Sequence, residues 1–375
     1  MNLCLSLCRI SLVAALISSC VTAPTNKDIP RGSVIVFDPE LNISKPLATA
    51  DFSGWKIASD GILYGVLGQK WVTGVQMNSG KHKWWRELGS AATGPISVIG
   101  DELFTGERDG WLNCLDRNSG KVKWRIKLSR YSYREVVKHK DQVFAVTAGQ
   151  QLYALNANTG TVNWIFDGGF PDLLTIAVAA PPVIVQESVI FGISSGDLVG
   201  VNLITGKEIW RQSNDSVEGR FHDVIAQTVL AKQRRLLVAR YDGRLVSYEL
   251  TPSGLRFVWS EEFVNIAAST TLNDAGIVLV GGQSGDVSAV DTESGKKKWS
   301  KQIGVPITQF TQFGKDAVLA TGSSGRITAL SLKDGNIMWH DDLMGSVVGP
   351  ILPWKQQLFV STGYKNLYGY LQPKL

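Results

Sequence analysis

Residues Gly285–Trp299 read GDVSAVDTESGKKKW. The first half alternates as a strand does, with Val287, Ala289 and Asp291 on one side and Ser288 and Val290 on the other. The second half is a turn with a mechanism. The Asp291 carboxylate can accept a hydrogen bond from the backbone two residues on, and Gly295 tolerates the positive φ that closes a short hairpin. A second strand follows, with Trp299 four residues after that glycine.

The same wording recurs. MNSGKHKW ends at Trp84, DRNSGKVKW at Trp124, NANTGTVNW at Trp164 and NLITGKEIW at Trp210. TPSGLRFVW ends at Trp259 and SLKDGNIMW at Trp339. The turn glycines are Gly80, Gly120, Gly160, Gly206, Gly254, Gly295 and Gly335, spaced 40, 40, 46, 48, 41 and 40 residues apart. Only the copy at Gly254 lengthens the step to its tryptophan, from four residues to five. The strand before each turn carries a small residue at one fixed place: Gly74, Cys114, Ala154, Gly200, Ser247, Ala289, Ala329 and finally Gly369. There are thus eight strand copies but seven turn-and-tryptophan copies.

A period of some 40 residues holding several short strands, without helical periodicity, predicts an all-β, eight-bladed β-propeller of four-stranded antiparallel blades. Each small residue is expected to make room for a bulky side chain of an adjacent blade, with Trp as the filler. The eighth blade lacks its outer strand, and an open edge invites association. Val34–Phe37 (VIVF) stands just before the first repeat, so the last blade is expected to be closed by this N-terminal strand.

Composition supports a folded body: 44% apolar and 19% charged among 375 residues. The net charge of +5 is small and scattered, and argues against nucleic acid as a partner. Residues 1–19 hold one cation, Arg9, then an apolar run Ile10–Ile17 too short to span a bilayer comfortably. They read as an export signal. Ile17-Ser18-Ser19-Cys20 resembles a bacterial lipobox, which implies a lipidated Cys20. Val21 follows, where an Asp would resemble an inner-membrane retention signal, so the outer membrane is expected. Residues 20–31, with two prolines and no periodicity, read as the lipidated cysteine and its flexible tether. The propeller is expected over 32–375. Without the leader only Cys20 and Cys114 remain, and an acylated Cys20 leaves Cys114 no disulfide partner.

Catalytic wording is sparse. Gly192-Ile193-Ser194-Ser195-Gly196 matches GxSxG, but the repeat strand follows it rather than a helix, so it reads as a turn. His82, His139, His222 and His340 lie in separate parts of the chain, without the clustered spacing of a metal site. Cys114 occupies the small core slot. The SGK and TGK turns lack the flanking residues of a P-loop.

The period stretches twice in succession, near Gly168–Pro182 and Asn214–Gln227. Adjacent long loops on one sector of a rigid ring are where a partner is expected to bind.

The GxLxALDxxTGKxxW wording resembles the pyrroloquinoline-quinone-type propeller repeat. With the lipobox and tether, the whole resembles the BamB family of outer-membrane assembly lipoproteins. That resemblance implies a non-enzymatic scaffold without cofactor, lipid-anchored on the periplasmic face of the outer membrane. It also implies binding to the POTRA region of the barrel subunit BamA, beside other assembly subunits and nascent outer-membrane proteins, through two loops of this sector. A family pattern Leu-x-Leu-Arg before Ala-Pro falls on Leu173, Leu174, Thr175 and Ile176, where only the first Leu matches. The second, Asp-Val-Asp, falls on Asp223-Val224-Ile225, which keeps the first Asp. An apolar contact, with Arg220 or Asp223 supplying polarity, is expected in place of a charged one. Two alternatives stand: a propeller lipoprotein of another envelope complex, or a quinone-dependent dehydrogenase. The second resembles longer chains that carry a vicinal cysteine pair, which this one lacks.

Overall fold

A computed structural model describes residues 35–36, 55–67, 70–77, 82–132, 134–169, 180–214, 223–230, 234–251, 253–272, 275–322, 324–343, 345–347, 349, 351–354, 357–361 and 366–371. The described residues form eight four-stranded antiparallel sheets. Seven are built from consecutive strands, as blades 1 to 7 over 56–87, 97–127, 137–167, 183–212, 224–262, 268–302 and 309–342. Blade 8 takes three strands from 352–371 and its fourth from Ile35–Val36. The closing pair is antiparallel, Ile35 opposite Leu367 and Val36 opposite Asn366. The N-terminal strand therefore seals the ring as its sequence position predicted.

Blade 6 shows how the repeat makes a sheet. Its third strand, Asp286–Asp291, turns into the fourth, Lys297–Gln302. The Asp291 carboxylate accepts the Ser294 amide at 2.8 Å, the Ser294 hydroxyl at 2.8 Å and the Glu293 amide at 3.2 Å. Gly295, at φ 76°, donates to the Asp291 carbonyl at 2.9 Å. The Ser294 amide, then its hydroxyl and Lys298 at 3.2 Å, hold the Asp291 carboxyl down at about 2 despite partial burial.

Burial of both faces explains the ring. Eight hydrophobic clusters lie one at each seam, each drawing side chains from two neighbouring blades. In blade 6, Val287 and Ala289 join Val318 and Leu330 of blade 7, while Val290 joins Leu237 and Leu245 of blade 5. A sheet with two apolar faces cannot be stable alone, so neighbours stack until the ring closes.

The expectation for the small slot needs correcting. Cys114 lies directly opposite Trp124, Ala154 opposite Trp164, Gly200 opposite Trp210 and Ala289 opposite Trp299. The small residue thus faces the tryptophan of its own blade. The indole then reaches forward over the turn glycine of the next blade. A Cβ on Gly120 would stand 2.4 Å from Trp84, on Gly160 2.5 Å from Trp124, and on Gly335 2.4 Å from Trp299. The indole N–H also donates into the next turn: Trp84 to the Arg117 carbonyl at 2.9 Å, Trp124 to Ala157 at 2.7 Å, Trp299 to Leu332 at 2.9 Å. Trp259 breaks the rule. Arg235 takes the Thr292 and Glu293 carbonyls at 3.2 and 2.6 Å, and the Trp259 N–H is left without a partner.

The turn carboxylates carry an acid prediction. A folded pKa of about 2 for Asp291 lies below the unfolded value of about 3.9. Its stabilisation is therefore complete above about pH 4 and lost as pH falls towards 2. Asp116, held low by the Ser119 hydroxyl and the nearby amides, acts in the same direction. Asp291→Asn should flatten the fall of the thermal midpoint between about pH 4 and pH 2. An unchanged slope would show that the turn does not titrate as described.

Candidate partner-binding face

One face of the ring carries two kinds of segment: the connections from a fourth strand to the next blade, and the turns between second and third strands. Main-chain bonds tie them together within a blade. Leu128 N–H donates to Gly110 at 2.9 Å, Gly168 to Gln150 at 3.0 Å, Phe263 to Gly243 at 2.9 Å and Ile303 to Gly285 at 2.8 Å. Both stretched intervals are connections of this kind, so both long loops leave from this face.

Their stems are fixed by specific bonds. The first leaves after Gly169, whose amide donates to the Asp167 carboxylate at 3.0 Å. The second leaves at Asn214, whose backbone amide donates to the Asp197 carboxylate at 2.9 Å and whose side-chain Oδ1 accepts from Arg244 at 2.7 Å. Asn214 thereby ties blade 4 to blade 5. At the other end, the Ala180 amide donates to the Val224 carbonyl at 2.8 Å. The exit of one loop is bonded directly to the exit of the other, so the two exits are neighbours in space.

Of the expected site residues, Cys20, Leu173, Leu174, Thr175, Ile176 and Arg220 lie outside the described residues. Asp223 is described and is only 3% exposed, with its carbonyl accepting the Tyr241 amide at 3.0 Å. It anchors the loop stem, and its burial places it badly for a direct contact with another protein.

Two residues here had not been singled out from the sequence. Arg240, paired with Val224 across the strands, is 2% exposed. Its Nη2 donates to the Tyr248 hydroxyl at 3.3 Å while Nε has no partner. Blade 2 puts Glu107 at the corresponding place, satisfied by the Ser90 amide at 2.7 Å, Asn113 at 2.8 Å and Arg125 at 2.9 Å. Val264 is 84% exposed, on the connection beside Gly243. A signal for it existed: four other repeats place Gly89, Ser129, Gly169 or Gly304 there.

Features that would favour catalysis do not assemble among the described residues. Gly192–Gly196 is a turn between two strands, with Gly196 N–H donating to the Ile193 carbonyl at 2.9 Å and Ser194 N–H to the Gln150 side chain at 2.7 Å. No three His, Cys, Asp or Glu side chains converge as metal ligands there. Burial pushes the Cys114 thiol up to about 12, which keeps it neutral.

A family model described as "Outer membrane protein assembly factor BamB" matches residues 68–301 and 230–369. The chain belongs to the BamB family. The Outer membrane protein assembly factor BamB of Bordetella pertussis is 26% identical over 201 residues, 52% of this chain and 51% of that protein. The match thus spans about half the length of that BamB relative. The crystal structure of BamB from Moraxella catarrhalis superposes with a TM-score of 0.75 at 19% identity, covering 92% of this chain and 99% of that one. Quinohemoprotein alcohol dehydrogenase from Comamonas testosteroni shares the ring as well, with a TM-score of 0.67 at 13% identity over 94% of this chain and 80% of that one. At such identities the structures attest the BamB-like propeller fold and nothing finer.

Proposed function

We propose that the protein is a lipid-anchored scaffold of outer-membrane β-barrel assembly, acting by binding rather than by catalysis. The observation that carries this reading is the bonded pair of loop exits, Ala180 to Val224, on one face of a ring of the BamB family. Long loops on rigid stems present a shaped surface at low ordering cost. The partner proposed is the periplasmic POTRA region of BamA, with Leu173, Leu174, Thr175, Ile176 and Arg220 in contact. Asp223 supports the loop from below. Residues 1–19 serve as the export signal, Cys20 as the lipidated N-terminus and 20–31 as the tether. Several acyl chains, at about 0.8 kcal/mol per buried methylene, make such an anchor stable.

Tagged protein recovered from solubilised envelopes tests the partner. BamA is expected with the wild-type chain, and Leu173→Asp with Arg220→Glu should reduce its recovery about tenfold or more without moving the thermal midpoint. Absence of BamA from the wild-type sample would overturn the reading in favour of another envelope complex. Uptake of quinone and calcium by the purified protein would instead revive the dehydrogenase alternative. For the anchor, Cys20→Ser should abolish labelling by supplied palmitate and release the protein from the membrane fraction. Persistent labelling would place the lipid elsewhere.

A further inference from the structure

The seam between blades 4 and 5 is made differently from its neighbours. At five other seams the tryptophan crowds the next turn glycine, whereas a Cβ on Gly254 would stand 3.4 Å from Trp210. The cause lies on both sides of the seam. Blade 5 replaces the Asx-and-glycine turn with a tight hairpin, Thr251 directly opposite Gly254. In blade 4, Trp210 folds back over Gly200, where a Cβ would meet its ring at 2.2 Å. Only glycine permits that position. The indole therefore packs beside the seam with Leu250 and Leu255 instead of covering the next turn glycine.

A cleft of about 540 Å³ results, opening on the side away from the two loops. Small-ligand and side-chain sites span about 300–1,000 Å³, so its size suits an inserted group. Its floor includes Ile190, Trp210 and Leu250. Glu187 stands on its rim, exposed, with no cation in ion-pair distance among the described residues. The mouth is flanked by large apolar side chains in the open: Ile209 at 45% exposure and, on the neighbouring turn, Ile204 at 78%. Phe257, 60% exposed, shares a strand face with Leu255, which packs into the same seam. A cavity alone would suit a small molecule. The apolar strip continuing outside it needs a longer occupant.

The geometry points to a second docking site here, for an extended polypeptide segment that inserts an aliphatic or aromatic side chain over Trp210 and sets a basic residue against Glu187. The floor supplies apolar burial, at about 25 cal/mol per Å², and the Glu187 carboxylate selects the charge of the adjoining residue. The site lies on the opposite side of the ring from the two loops, so one body can hold two partners at once.

Fluorescence anisotropy of a short dye-labelled peptide, Leu-Lys-Leu-Lys between Gly-Ser ends, tests this on the full chain. Saturable binding is expected. Glu187→Lys and Ile209→Glu, both surface changes, should each weaken it about tenfold or more, and Glu187→Lys should favour the Leu-Glu-Leu-Glu counterpart instead. Leu173→Asp should bind the basic peptide as the wild type does, which separates this site from the loops whatever BamA binding shows. No saturable binding at about 1 mM peptide, wild-type affinity in both rim variants, or equal loss in Leu173→Asp would overturn the proposal.

Discussion

Gly120→Ala is expected to destabilise the protein by about 2–5 kcal/mol. Two costs combine. Gly120 sits at φ 68°, where an L side chain costs about 1–2 kcal/mol. The added methyl would also stand 2.4 Å from the Trp84 ring, and overpacking of this kind costs about 1–3 kcal/mol. The indole cannot yield easily, because its N–H is bonded to Arg117 in the same turn. Gly254→Ala is the internal comparison. It carries the backbone penalty at φ 138° but meets Trp210 at only 3.4 Å, so its loss should be smaller by about 1–3 kcal/mol. Urea denaturation of the two variants reads the difference. Equal losses would mean that the tryptophan and glycine contact does not set the seam.

Deleting residues 34–37 is expected to open blade 8. It removes the partner of Asn366 and Leu367 and leaves the strand Asn366–Leu371 as an edge. The lost pairing costs about 1 kcal/mol for each main-chain hydrogen bond. The exposed row of donors and acceptors also becomes a template for association. The thermal midpoint should fall and light scattering should rise with protein concentration. Supplying the missing segment as a free peptide should reverse both. A deletion variant that stays monomeric with wild-type stability would show that blade 8 does not depend on its borrowed strand.

Much of this architecture was readable from the residues. Asp291 and Gly295 name their turn because both depend on local backbone chemistry that varies little with context. The surplus of strand copies over turn copies announced the borrowed strand. What escaped depends on neighbours. Strand alternation says which side Trp299 leaves from, but not that its ring passes Ala289 and meets Gly335 of the next blade. The lengthened step from Gly254 to Trp259 was visible, whereas the cleft beside the seam also needed Gly200 to let Trp210 fold back. At the candidate site, loop length pointed to two connections whose exits are bonded together, Ala180 to Val224, yet Asp223, read as a partner contact, is buried. One acidic residue at the end of a loop carries no information about its burial. Val264 was overlooked because its connection keeps the ordinary length, and only comparison with Gly89, Ser129 and Gly304 distinguishes it.

The eight seam clusters have a consequence for how the molecule tolerates damage. A straight stack of blades falls into two pieces at its first broken contact. In a closed ring each blade is held from both sides, and one broken seam leaves every blade attached. The freed ends gain little motion, so little entropy rewards the break. A second break elsewhere releases a whole sector, and the entropy withheld at the first becomes available. The ring therefore fails by pairs: one faulty seam is carried as a reserve, and the next exhausts it.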